Sequence, residues 1–331
     1  MKPDDDLRQV LQDAVSDVHP HGTLDDIRSR TQVVPMKRWF LPTLAVAAVM
    51  AVVVGGAFWL VDDGSSPTPS GTPTQGTSSS PPSDDTGSGA TATRAVPVYY
   101  VGATAHGDKL YREFQRQDIC SSADCLLKAA AVASVNGDPA DHDYRTLWPQ
   151  GSTVGRVSAD GDTIVVDLAT GVHDRPAGLS ADDADLAIQQ LVYSAQAAVG
   201  RGRLPVQLLI AGQHTDTVLG VPASEPLAAA NPDAVLAPVQ VDTPTNGTTV
   251  ASPFTVSGRA ATFEANVVWE LTRDGAVVKK GFTTAQECCT LSPYSFQVTA
   301  PSGTYTLTVH DTDESGAGAP VDQDTKEIVI Q

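Results

Sequence analysis

Trp39–Val61 reads WFLPTLAVAAVMAVVVGGAFWLV, and its 23 residues include no charge. As a helix rising about 1.5 Å per residue, such a stretch crosses roughly 30 Å of hydrocarbon. A helix buried in a soluble protein is seldom apolar on every side for so long. Trp39, Phe40 and Trp59 stand near its ends, where amphipathic rings favour the membrane interface. Pro42 falls in the first turn, where a missing N–H costs little. Lys37 and Arg38 precede the stretch, and Asp62 and Asp63 follow it. The positive-inside rule then places residues 1–38 in the cytoplasm and 62–331 outside. A cleaved signal peptide would put a shorter apolar region, about 7–15 residues, near the N-terminus and follow it with a small-residue cleavage site. Here 38 residues come first and no such site follows. The expectation is a single-pass membrane protein whose anchor is residues 39–61.

Charge sorts the remainder. The 331-residue chain carries a formal net charge of -18. Residues 1–38 hold 6 basic and 7 acidic groups, leaving 15 basic and 32 acidic beyond residue 61. So acidic an outer part argues against binding nucleic acid, which needs a basic face. All four cysteines lie on that outer side, where disulfides persist.

In the cytoplasmic segment, Leu7, Val10, Leu11, Ala14 and Val18 recur at helical spacing, and His19-Pro20-His21-Gly22 ends the run. Such a helix either lies on the membrane or docks a cytoplasmic partner. Residues 62–95 are Ser, Thr, Pro, Gly and Asp with almost no large apolar side chain, the composition of a disordered tether.

From Val96 the patterning becomes that of a folded domain. Val96–Val101 and Leu110–Phe114 read as paired strands around Gly107-Asp108. A helix from Ser121 to about Val135 stops at Asn136-Gly137-Asp138-Pro139. Val154–Val157 and Thr163–Leu168 flank Asp160-Gly161, a hairpin signal. Ser180 caps a long helix with Asp182, Asp183 and Asp185 at its positive end and Gly200 beyond its last turn. Pro205–Gly212 reads as a buried strand. Residues 96–220 are therefore expected to be α+β, two helices on a small sheet. Ala- and Pro-rich residues 221–238 form a linker. Beyond it only period-2 patterns occur, as in Trp269/Leu271, Tyr294/Phe296/Val298, Tyr305/Leu307/Val309 and Ile328/Ile330. About seven short strands in 239–331 describe an all-β immunoglobulin-like sandwich. The Cys…Trp…Cys spacing of antibody domains is absent, so that likeness is architectural.

The stretches VPVYYVG, LYREFQ, LWPQGSTVGRVSADGDTIVVDLATG and LPVQLLIAGQ give residues 96–220 a resemblance to the GerMN domain. VDTPTNGTTVASPFTVSGRAATFEANVVWEL and SGTYTLTVHDTDESGAG resemble the immunoglobulin-like domain of bacterial spore germination. An anchor followed by these two domains is an arrangement of actinobacterial and firmicute envelope proteins. The resemblance implies a non-enzymatic envelope role tied to sporulation or germination, and it brings no catalytic residues and no cofactor.

The residues themselves supply no enzyme motif: G-x-S-x-G is absent, and Gly87-Ser88-Gly89 lies in the tether. Asp141-His142-Asp143 and His173-Asp174-Arg175 are successive loop residues that lack further ligands, so each reads as a solvated loop rather than a metal site. His106, His214 and His310 are scattered, and a triad assembled from them on paper means little. Asn246-Gly247-Thr248 fits a glycosylation acceptor but reads as a turn before a strand. Asp311-x-Asp313-x-Ser315-Gly316, with Asp322 at position twelve, resembles part of a calcium loop flanked by strands rather than helices, and reads as a polar turn. With Ser121 as N-cap, Cys120 and Cys125 occupy the N′ and N4 positions that meet in a hydrophobic staple, so a Cys120–Cys125 disulfide is expected. It closes a short loop and should contribute on the order of 2 kcal/mol. Cys288 and Cys289 are adjacent, and three states stay open for them: one buried and one exposed, a vicinal bridge, or a link between chains.

Two roles fit: a binding or scaffolding module for an envelope protein partner, and a module that binds cell-wall glycan or peptide, with or without hydrolysis. Exposed aromatics, which carbohydrate sites use, are few here. The topology has a direct check. Protease added to intact spheroplasts should degrade residues 62–331 and spare an N-terminal tag; protection of the C-terminal domains would refute it.

Overall fold

A computed structural model describes residues 91–313 and 318–331. The expected anchor and residues 1–90 lie outside that range. Among the described residues no helix is long and apolar enough to cross a membrane.

The first domain is built on a long antiparallel hairpin, β1 (Thr91–Thr104) and β2 (Gly107–Cys120). Strand β1 starts at Thr91, inside the stretch read from composition as tether; Thr91–Ala95 pair with Arg116–Cys120. That end of β1 faces solvent on both sides, so hydrophobic alternation could not signal it. Further on, β1 is buried on both faces. Val96, Val98 and Tyr100 face one core, and Tyr99 and Val101 face a second with Leu110, Leu186, Tyr193 and Leu236. This explains the unbroken apolar run VPVYYV.

Helix α1 (Ala123–Asn136) follows. Its N-cap is Ser122 rather than Ser121, with the Oγ accepting from the Cys125 N–H at 3.3 Å. Strand β2 stays paired to its last residue, Cys120, so both serines are used in turning the chain. Cys125 thus stands at N3, and it is joined to Cys120 as a disulfide with the Cα atoms 5.7 Å apart. Short β3 (Tyr144–Arg145) pairs with β1 to make a sheet ordered β2-β1-β3.

A second sheet takes β4 (Thr153–Asp160), β5 (Thr163–Thr170), β6 (Val206–Ile210) and β7 (Gln213–His214) in the order β4-β5-β6-β7. Helix α2 (Ala181–Val199) connects β5 to the parallel β6. Ser180 caps it through the Asp183 N–H at 3.0 Å, and Gly200 closes it at φ 65°, a left-handed conformation that suits glycine. Leu127, Ala130 and Ala131 of α1 meet Ala187, Ile188, Leu191 and Ala195 of α2 in the same core as Ile164, Val166 and Leu208. The α+β expectation holds, with two sheets in place of one. A small ribbon, β8 (Thr217–Val218) with β9 (Val221–Pro222), leads into residues 221–238.

This linker is strapped to the first domain. Leu227 exchanges two backbone hydrogen bonds with Val206, and the Ala237 N–H reaches the Leu110 carbonyl at 2.9 Å. A single-turn helix, α3 (Pro232–Val235), precedes the fully buried Ala237.

The second domain is a sandwich of two sheets. One orders β10 (Val239–Thr243), β12 (Phe254–Ala260) and β15 (Ser292–Val298). The other orders β11 (Thr248–Val250), β17 (Gln323–Ile330), β16 (Gly303–His310), β13 (Asn266–Arg273) and β14 (Ala276–Thr284). Strand β11, three residues parallel to β17, is an eighth strand that its short, half-exposed sequence does not announce. Val241, Val256 and Tyr294 pack across to Trp269, Leu271, Leu307 and Ile328. Gly258 lets β10 and the Tyr294 ring come close, since a Cβ there would lie 1.9 Å from the Gln240 carbonyl oxygen. Gly258→Ala should therefore destabilise the protein by about 3 kcal/mol or more in urea unfolding; a change under half of that would show that the strands can separate freely.

Candidate functional site

A cluster of buried ionisable groups lies at the seam between the domains. The clearest case is Lys326, 3% exposed on β17. Strand alternation puts Asp324, Lys326, Ile328 and Ile330 on one face. The two isoleucines fill the sandwich core, and the same face continues as two charges beneath the first domain. Lys326 Nζ donates to Asp141 Oδ2 at 2.6 Å, to the Tyr144 hydroxyl at 2.6 Å and to Asp324 Oδ1 at 2.5 Å. The Tyr144 hydroxyl donates to Asp324 Oδ1 at 2.7 Å, and the Val241 N–H donates to Asp324 Oδ2 at 2.6 Å. Asp141 belongs to the stretch read from sequence as a solvated loop; it is 3% exposed and ion-paired, because its partner arrives from 185 residues further along the chain.

A supporting layer holds this cluster in place. Buried Glu113 accepts from the N–H groups of Ala140 and Asp141, both at 3.0 Å, and so fixes the loop that presents Asp141. The Tyr144 ring stacks on Tyr111 with centroids 4.8 Å apart, and Lys326 Nζ lies 4.6 Å from the Tyr144 centroid. Gly102 leaves room for that stack, since a Cβ would meet the Tyr111 ring at 2.9 Å. Thr325 donates to Asp143 at 2.8 Å, and Asn246 Nδ2 donates to the Ala140 carbonyl at 3.1 Å. Asn246 is thus a bridge between domains as well as part of a turn. Further along the seam, Arg112 grips Asp242 with two hydrogen bonds of 2.9 and 2.5 Å. A cavity of about 250 Å³ opens beside the cluster.

Burial shifts these groups. Desolvation pushes the Tyr144 hydroxyl well above the usual tyrosine range, and Asp324 and Asp141 push it further. Burial alone would lower Lys326, but the two carboxylates outweigh it and hold the ammonium above its ordinary value. Burial raises Asp324, with Lys326 opposing it.

The other sequence candidates do not converge. His173 Nδ1 meets Thr215 Oγ1 at 2.9 Å, His310 meets the carbonyl of Asp311 at 2.6 Å, and His214 is exposed on β7. His106 lies 3.3 Å from Asp322, whose other oxygen accepts from the Ala105 N–H at 3.0 Å. The carboxylate counted as position twelve of a calcium loop is thereby engaged by the hairpin of the other domain; residues 314–317 of that loop lie outside the described range. Among the described residues no group of three or more His, Cys, Asp or Glu is arranged to hold a metal. Cys288 and Cys289 are joined to each other on an exposed loop.

Fold and seam together define a two-domain protein, an α+β domain locked onto an immunoglobulin-like sandwich. Residues 97–216 match the family described as "Sporulation and spore germination" and residues 238–318 match the "Immunoglobulin-like domain of bacterial spore germination"; the chain carries both of these germination-related domains. Among solved structures it is similar to the tandem GerMN domains of the sporulation protein GerM from Bacillus subtilis. There the identity is 15% and the TM-score 0.30, over 63% of this chain and 61% of that one. A putative lipoprotein from Clostridium perfringens is 15% identical with a TM-score of 0.27, over 41% of this chain and 87% of that one. An engineered protein is 21% identical with a TM-score of 0.26, and the chain spans 44% of its own length and 36% of that protein's. No curated protein matches significantly.

The cluster has a pH signature. Lys326 is raised in the folded state, so its contribution is complete below the ordinary lysine value of about 10.4 and is lost as pH rises through the folded value. Lys326→Met leaves Asp141 and Asp324 buried without a cation and should cost about 3–5 kcal/mol at neutral pH. The buried tyrosines Tyr144 and Tyr111, raised in the folded state, lose stability at alkaline pH in both proteins, so urea titrations across pH should show a steeper alkaline loss in the native chain than in Lys326→Met.

Proposed function

We propose that this chain is a membrane-anchored, extracytoplasmic binding and scaffolding protein of the cell envelope, without catalysis of its own, acting in a germination- or sporulation-type process. Trp39–Val61 is the anchor and residues 62–90 carry the two domains away from the membrane. The observation that carries the binding role is β14. It is the outer strand of the five-stranded sheet, and it presents Phe282 at 75%, Val278 at 54% and Val277 at 49% exposure. Lys279, Lys280 and a bulge in the pairing with β13 blunt this edge against strand addition, so the reading rests on the exposed apolar side chains themselves, which mark a contact with a partner. The Lys326 cluster adds to this reading, because Lys326, Asp141 and Asp324 are spent on holding two domains together.

Photo-crosslinking from Phe282 in the native cell, followed by mass spectrometry, tests the proposal. A recurrent envelope protein, lost on Phe282→Asp with no change in melting temperature, is the expected result. Retention of the chain on clean, protein-free cell-wall sacculi, with no protein crosslink, would replace it by the reading as a wall glycan or peptide module.

A further inference from the structure

A second feature of the seam is independent of β14. On the side of β1 away from Lys326, a cavity of about 280 Å³ lies between α2, the linker and β12. Its wall carries Tyr99, Tyr193 and three arginines, Arg112, Arg203 and Arg259, over an apolar floor that includes Leu236 and Leu291. Three guanidinium groups in one small cavity stand out in a chain of net charge -18.

Their existing partners leave much of this charge unmatched. Arg112 is neutralised by Asp242. Among the described residues, neither Arg203 nor Arg259 has a carboxylate within ion-pair distance. Arg259 Nη2 is held by the Tyr99 hydroxyl and Gln240 Oε1, both at 3.1 Å, which fixes the guanidinium. Its Nε is buried and has no hydrogen-bond partner. With almost no accessible surface that Nε is out of reach of a ligand, and its cost of about 1–3 kcal/mol is carried by the fold. The donor available to a ligand is Tyr99. Its oxygen accepts from Arg259, so its own O–H remains to be donated. Tyr193 turns its hydroxyl away, to the Ala230 carbonyl at 2.7 Å, and lends the cavity its ring. The wall therefore offers donors and positive charge, with the ring and the leucines beneath.

We infer that this cavity is a binding site for an oxyanion, a carboxylate or a phosphate, borne on a small apolar or amphipathic group. Arg203, exposed at the rim, admits the anion and neutralises it. Arg259 and Tyr99 read its oxygens from fixed positions, and planar guanidinium forks suit both oxyanions. The volume suits a single residue or sugar unit rather than a polymer.

Calorimetric titration of the full-length chain in detergent tests this with three probes: inorganic phosphate, acetyl-dialanine with a free carboxylate, and its uncharged methyl ester. Saturable binding of phosphate or of the free acid, with no binding of the ester, is the expected result, and the stronger of the two anions names the source. Arg203→Gln, at an exposed position, should keep the melting temperature and weaken binding at least tenfold; Tyr99→Phe should weaken it without removing the charge. The inference is overturned if neither anion binds up to tens of millimolar, if the ester binds as well as the acid, or if Arg203→Gln binds like the native chain.

Discussion

The arrangement of this molecule depends on one buried ammonium. Lys326 lies between two carboxylates and a tyrosine hydroxyl, Asp324 from its own strand and Asp141 and Tyr144 from one segment of the first domain, and it is the cation that balances both buried carboxylates. Taking such charges out of water costs several kcal/mol per ion, and mutual attraction offsets this only when geometry and secondary hydrogen bonds are complete. They are complete here because Glu113 holds the Asp141 loop, the Val241 N–H holds Asp324 and Tyr111 holds the Tyr144 ring. An apolar seam would bind as tightly but would tolerate sliding. A cluster with directional hydrogen bonds allows one register between the domains.

The linker works to the same end. A Pro- and Ala-rich segment between domains suggests a hinge, yet Leu227 and Ala237 are hydrogen-bonded to the first domain and Leu236 is part of its second core. With the seam on one side and the strap on the other, the cavity with its three arginines is walled by elements that are bonded to each other.

How much of this was legible follows from which forces leave a local trace. Hydrophobic alternation in Tyr305/Leu307/Val309 and the capping signals at Ser180 and Gly200 are local, and they located β16 and α2. Thr91–Ala95 and β11 gave no signal because their side chains face solvent or are too few for a period to show. Ser121 and Ser122 are equally good caps on paper; the pairing of Cys120 with Thr91 decided between them. The seam was hidden for another reason. Asp141 looks solvated because its partner is Lys326, and no spacing rule joins positions so far apart. One trace was available: the β17 alternation that marks Ile328 and Ile330 as inward extends back through Lys326 and Asp324, and charges on an inward face call for partners.

The polar seam also bears on how the chain is made. The N-terminal domain is complete before β17 has been synthesised, and domains generally fold in that order. Until then its docking face presents Asp141, Asp143 and Arg112, groups that water solvates well, where a greasy face would attract other nascent chains. The second domain likewise arrives showing Lys326 and Asp324. Each half can wait in solvent without aggregating, and only their meeting, with desolvation and ion pairing in one step, closes the structure. A buried charge cluster at this position thus protects the half-made protein as well as fixing the finished one.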